Sequence, residues 1–141
     1  MGGTAAMCLE DGTPVVGLGE GVRVGSGRIA LRGGGALALD PQGTLYAVRS
    51  GGLAAIDLEG GRQKWCAALD RADLPIVDGE GNIYVGAWGA ITALSPAGTA
   101  IWSWEVPEAQ PGYVGWLQGL AIGPDRTLYI ATRSTLFALR D

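Results

Sequence analysis

Apolar and polar residues along this chain alternate in short runs, and Gly, Pro, Asp and Ser cut one run from the next. No window holds a 3.6-residue apolar period, so helix is expected to be under about 10% of the chain. The runs come in sets. A first run appears at Ala36–Asp40, Leu74–Asp78 and Gly119–Gly123. Each is followed by turn chemistry: Asp40-Pro41-Gln42-Gly43, Asp78-Gly79-Glu80-Gly81 and Gly123-Pro124-Asp125-Arg126. A second run then carries a tyrosine, a third carries Leu or Ile around an Ala, and in two sets a fourth carries Trp65 or Trp102. Short runs between such punctuation predict strands joined as antiparallel meanders.

The sets superpose as an internal repeat. Thr44-Leu45-Tyr46-Ala47-Val48, Asn82-Ile83-Tyr84-Val85-Gly86 and Thr127-Leu128-Tyr129-Ile130-Ala131 align without gaps. Their tyrosines lie 38 and 45 residues apart, from 46 to 84 and from 84 to 129. Seven positions after each comes Leu53, Ile91 or Leu136, and nine after comes Ala55, Ala93 or Ala138. A period of this length holding four short strands is that of a β-propeller blade. The expected fold is all-β, a partial β-propeller of about three four-stranded antiparallel blades. Strands A to D of one blade fall within 36–68 and of a second within 74–105, and an incomplete blade follows at 119–141. Residues 4–18 fit strands C and D of an opening blade, because Met7–Val16 parallels Ala93–Trp102. A hairpin is expected from Val22–Val24 to Arg28–Leu31 across Gly-Ser-Gly.

Composition narrows the chemistry. The 141 residues include 25 Gly, and 48% are hydrophobic against 17% charged, which suits many tight turns around a core. Net charge is −4 and the ten basic residues are dispersed, so no patch tracks a phosphate backbone and nucleic acid is not an expected partner. The chain has no His, which removes Ser-His-Asp, Cys-His and His-ligated metal arrangements from within it. Cys8 and Cys66 stand far apart with no C-x-x-C, and are expected to pack as small hydrophobes, with a disulfide left open. No apolar run reaches the ~20 residues of a membrane span. Met1 to Leu9 lacks a basic and an apolar segment, so no signal peptide is expected there. The compartment stays open, periplasmic or extracellular if the chain belongs to a longer exported protein.

Ile56-Asp57-Leu58-Glu59-Gly60-Gly61-Arg62-Gln63-Lys64-Trp65 resembles the repeat of the pyrroloquinoline-quinone-like (PQQ-like) propeller family, in which Ala-Leu-Asp is followed by Thr-Gly-Lys and then Trp. Asp57, Gly61 and Trp65 keep the spacing, and Leu94 to Trp102 is a variant one residue shorter. The resemblance covers about residues 36–141 and, more loosely, 4–18. It implies that Asp, Gly and Trp dock one blade on the next. It does not imply quinone binding, since the adjacent cysteines and calcium-bound acids of the family's enzymes have no counterpart here. No cofactor and no metal are therefore expected.

Loops at one rim of the blades supply the candidate binding residues: Arg49, Trp88, Tyr113, Trp116 and Arg133. Trp88 and Arg133 both stand four positions after a repeat tyrosine. Aromatics beside arginines can bind an anion or a polymer, and the same residues also suit plain solvated loop tips. Asp78-x-Glu80-x-Asn82 has the alternating oxygens of a calcium loop without its distal Glu, and a turn is expected instead. The expected role is a non-catalytic scaffold that binds a protein or polymer, not an enzyme. The alternative is a sensor or substrate-binding propeller module of a larger enzyme or kinase. The open blades suggest either the remainder of a longer propeller or self-association, with Thr13–Leu18 of one copy pairing beside Thr135–Leu139 of the next.

Overall fold

The computed structural model describes residues 5–8, 14–18, 21–24, 27–30, 37–40, 42–49, 52–59, 61–107 and 117–140. For the first four of these segments, and for Arg49, the backbone alone is described. No helix occurs among these residues. Fifteen strands are formed: β1 (Ala5–Cys8), β2 (Pro14–Leu18), β3 (Gly21–Val24), β4 (Gly27–Ala30), β5 (Leu37–Leu39), β6 (Thr44–Arg49), β7 (Gly52–Asp57), β8 (Arg62–Ala68), β9 (Asp73–Val77), β10 (Ile83–Ala87), β11 (Ala90–Leu94), β12 (Ala100–Glu105), β13 (Leu117–Ile122), β14 (Leu128–Thr132) and β15 (Leu136–Leu139).

They make four antiparallel meanders in chain order: β1–β4, β5–β8, β9–β12 and the three-stranded β13–β15. The first corrects one expectation. β2 pairs with β1 on one side and with β3 on the other, so Pro14–Leu18 lies inside a sheet and has no free edge to lend a second copy. The hairpin expected near 22–31 is β3 and β4, with Val24 opposite Gly27.

One row of side chains recurs across the later sheets. Tyr46 faces Ala55, which faces Trp65. Tyr84 faces Ala93, which faces Trp102. Tyr129 faces Ala138 on β15, the edge strand of its sheet. The alanine is small, so the flanking rings close over it: Tyr46 and Trp65 have centroids 5.8 Å apart and Tyr84 and Trp102 5.9 Å apart, both tilted. Tilted ring pairs at this distance suit the aromatic quadrupole.

The rows also join sheet to sheet. Tyr46, Leu53 and Ala55 pack against Ile83, Val85 and Leu94 of the next sheet. Tyr84, Ile91 and Ala93 pack in turn against Leu128 and Ile130. Trp104 meets Phe137 edge-on at 5.6 Å. The first strands lie together, β9 contacting both β5 and β13. The β5–β8 and β9–β12 sheets thus each bury one face on the sheet that follows, the arrangement of consecutive propeller blades.

Trp65 fastens one of these joints. Its indole N–H donates to the Pro96 carbonyl at 2.9 Å, in the β11–β12 turn of the next sheet. Gly98 of that turn has φ +86°, and a Cβ there would lie 2.6 Å from Cδ2 of Trp65. Glycine meets both demands, a left-handed backbone and a ring laid against it. Cys66, expected to be buried, is instead an exposed free thiol. It follows Trp65 on an outer strand whose side chains alternate inward and outward.

Candidate functional site

In a meander the turns fall alternately at the two ends of each sheet, and both ends carry chemistry here. At one end Trp88 and Gly89 make the two-residue turn between β10 and β11, with Ala87 opposite Ala90. Their φ values are +48° and +79°. A hairpin turn of this kind needs positive φ at both residues, which Asn-Gly supplies at little cost. A bulky ring in the first place costs about 1–2 kcal/mol. The Gly89 carbonyl accepts from Val106 N–H at 3.0 Å, which ties the turn to the end of β12. Trp88 is 46% exposed. Over its ring, 5.2 Å from the centroid, lies the guanidinium carbon of Arg71 from the β8–β9 connection. Arg71 and Leu74 are left-handed too, with φ +54° and +48°. Three non-glycine residues in this conformation therefore border one rim, and Leu74 N–H is held by Asp73 Oδ1 at 2.9 Å.

The five rim residues read from the sequence meet this geometry unevenly. Trp88 is exposed at its hairpin, as expected. Arg133 is exposed in the corresponding hairpin of the next sheet. That loop is longer and closed by Thr132, whose N–H donates to the Thr135 carbonyl at 2.9 Å and whose Oγ1 accepts from Thr135 N–H at 3.1 Å. Arg49 ends β6 opposite Gly52. Tyr113 and Trp116 lie outside the described residues. Arg71, which does meet Trp88, was not singled out in the sequence. Its contact joins the β8–β9 connection to the β10–β11 hairpin, and no spacing pattern encodes it.

The other end holds a charged network between the β9–β10 and β13–β14 turns. Asp78, 6% exposed at its side chain, accepts at Oδ1 from the N–H groups of Glu80 (2.8 Å) and Asn82 (2.9 Å). Its Oδ2 accepts from the Tyr84 hydroxyl at 2.9 Å and from Asn82 Nδ2 at 3.2 Å. Burial by itself would raise this carboxyl. The bonds from Asn82 N–H, the Tyr84 hydroxyl, Glu80 N–H and the Asn82 amide outweigh it and hold the carboxyl below its ordinary range. Burial, and then the bond to Asp78, push the Tyr84 phenol up. The calcium-like spacing of Asp78, Glu80 and Asn82 is thus a self-capped turn, as expected. Among the described residues no three acidic, His or Cys side chains converge on a metal position.

Arg126 of the next sheet reaches back into this network. Its guanidinium is 3.3 Å from Glu80 Oε1 and 4.0 Å from Asp78 Oδ2. It stands at φ +69° where the two other repeats place Gly43 (+101°) and Gly81 (+86°). The two turns border a cleft of 370 Å³ lined by Asp78, Gly79, Glu80, Ile122, Gly123, Pro124 and Arg126. The missing glycine in the third turn was the sequence signal for this residue.

No protein-family model matches the chain, and no curated protein matches it. Solved structures do. Hydrazine synthase of Kuenenia stuttgartiensis superposes with a TM-score of 0.74 at 18% identity, over 95% of this chain and 43% of that one. An extracellular domain assigned to a one-component system of B. thetaiotaomicron gives 0.71 at 11% identity, over 95% of this chain and 20% of that one. Streptogramin B lyase gives 0.61 at 14% identity, over 75% and 40%. The chain thus spans less than half the length of each of these three. Two of them are named as enzymes, which corrects the expectation that the chain is not one: the architecture is shared with catalysts, and the lack of His-based catalytic sets was no argument against activity. At these identities the likeness speaks for the fold. The chain is a β-propeller segment whose β5–β8, β9–β12 and β13–β15 sheets pack in series.

Proposed function

We propose that the chain is a PQQ-like propeller module, with blades at 36–68, 74–105 and 119–141, that binds a protein or polymer partner at the rim bearing Trp88. The observation that carries this reading is the backbone of Trp88. A large aromatic is held exposed at φ +48°, against the guanidinium of Arg71, in a turn that Asn would form with less strain. Strain of this kind persists where the side chain has a use. Trp and Arg are the residues that most often anchor a partner, one by its flat face and the other by its forked donors. Arg49, Arg133, Tyr113 and Trp116 belong to the same group of loops in the repeat and would extend the surface.

The test is Trp88→Asn. The variant should unfold at a higher temperature, by about 1 kcal/mol of relieved strain, and should lose binding. Binding is read by gel retardation against soluble polysaccharides and by a protein and peptide array. A variant that is stabilised yet keeps every interaction of the parent would overturn the reading. A second reading, a sensor or substrate-binding module of a larger enzyme or kinase, is favoured by the likeness to a much longer extracellular domain, of which the chain spans 20%. Fusion of the adjoining reading frame to a catalytic or transmitter segment would support it.

A further inference from the structure

We propose that the cleft between the β9–β10 and β13–β14 turns binds a free amino acid with an aliphatic side chain, its carboxylate on Arg126, its ammonium on Glu80 and its side chain on Ile122 and Pro124. This site stands at the end of the sheets opposite Trp88 and is separate from the surface proposed above. The cleft lies where β9 and β13, two first strands in contact, run into their turns, and not at the edge strand β15. Arg126 sets this joint apart from the one before it. There the equivalent Gly81 comes directly against the preceding sheet, and a Cβ on it would lie 3.6 Å from Asp40 Oδ2. The place thus points at the acid of the preceding turn, and Arg126 carries a guanidinium into it at φ +69°. Glycine adopts a left-handed backbone freely and arginine only with strain, which persists where the side chain has a use.

The ion pairs alone do not supply that use. Glu80, the nearest acid, is 64% exposed at its side chain, and a pair made with so open a carboxylate adds little to stability. Asp78 is already engaged by four donors, and its Oδ2 stands 4.0 Å from Arg126 Nη2, so it orients the guanidinium without occupying it. Arg126 donates to Glu80 through Nη1 at 3.3 Å, and the guanidinium fork has further N–H donors that match a carboxylate. Glu80 has acceptor capacity left for an ammonium. A cation and an anion side by side complement a zwitterion, whose two charged groups sit on one carbon. A plain anion would meet the two carboxylates and a plain cation the guanidinium, each gaining one attraction at the cost of a repulsion. The rest of the lining receives the side chain. Ile122 and Pro124 are apolar, Gly79 and Gly123 put no side chain into the space, and nothing lies within 4 Å of where a Cβ on Gly79 would stand. At 370 Å³ the cleft is near the lower end for small-molecule sites, about 300 Å³, which suits one amino acid better than a polymer.

The test uses the full chain and L-leucine, titrated by calorimetry. Saturable binding is expected. Isocaproate, which lacks the ammonium, and isoamylamine, which lacks the carboxylate, should each bind at least about tenfold more weakly, the loss that follows from removing one charge-assisted contact. Arg126→Gly restores the residue of the other two repeats, so it should fold as the parent does and bind leucine at least about tenfold more weakly. Glu80→Gln should weaken leucine by a similar factor and leave isocaproate no weaker than on the parent. No saturable binding of leucine, equal binding of leucine and either truncated ligand, or undiminished binding to Arg126→Gly would each overturn the proposal. An Arg126→Gly chain that fails to fold is replaced by Arg126→Asn, since Asn also tolerates a left-handed backbone, and the same loss of leucine binding is expected.

Discussion

Single side chains divide this molecule into positions that hold it together and positions that cost it stability. Trp65 is of the first kind, with its N–H on Pro96, its ring over Gly98 and Tyr46 beside it. Trp65→Ala is expected to cost about 3 kcal/mol, the lower end for a large aromatic because part of the ring faces solvent. Trp88→Ala should cost less than about 1 kcal/mol, since its ring is exposed. Chemical denaturation orders the two, and the reverse order would refute the assignment of Trp65 to the joint. Gly98→Ala acts on the same joint from the other side. The added methyl would meet the Trp65 ring in a left-handed backbone, and a loss of about 2 kcal/mol is expected. Asp78 supplies a pH signature. Its carboxyl is held below the ordinary value of 3.8, so its contribution is complete above that pH and is lost as pH falls through the lower folded value. Asp78→Asn should flatten the acid limb of the stability curve measured below about pH 4, and an unchanged limb would show that other carboxylates set it.

The strands explain how far the sequence could be read. Tyr46, Tyr84 and Tyr129, with their alanines nine residues on, were legible because the strand period and the blade repeat reinforce each other at those positions. Trp65 and Trp102 were legible as partners of that row for the same reason. The contact of Arg71 with Trp88 was not, because it joins a connection and a hairpin of one sheet's neighbourhood through left-handed turns that leave no periodic trace. Cys66 was misplaced because a small apolar residue on an outer strand follows the alternation of that strand, not its own preference for burial. The hairpin at 22–31 was legible, but it lies outside the repeat alignment, so nothing in the sequence joined its first strand to Pro14–Leu18, and the pairing of β2 on both sides was missed. The elements also differ in their expected opening. The side chains of β10 are all buried, and those of β7 and β11 nearly so, whereas β8, β12 and β15 alternate toward solvent. Hydrogen exchange should be slowest in Gly52–Asp57, Ile83–Ala87 and Ala90–Leu94 and faster in Arg62–Ala68 and Ala100–Glu105. Equal protection in Gly52–Asp57 and Arg62–Ala68 would contradict this order.

At the scale of the molecule, the β5–β8, β9–β12 and β13–β15 sheets are joined in series, each packed on the one that follows it in the chain. A circular dichroism spectrum without helical minima is the expected signature, and strong ones would contradict the fold. The joint made by Trp65 has a genetic meaning as well. Its two halves belong to consecutive blades: the indole is carried by one, and the glycine turn that receives it by the next. A tandem duplication of β9–β12 would bring a counterpart of each half with it, the receiving turn at Gly98 facing back and Trp102, at the row position of Trp65, facing forward. The inserted copy would find a mate on either side, and no existing joint would be left without one. Growth or shortening by whole blades is thus the change in length that this architecture tolerates most readily, while an insertion that splits a glycine turn from its tryptophan strand would leave two broken joints.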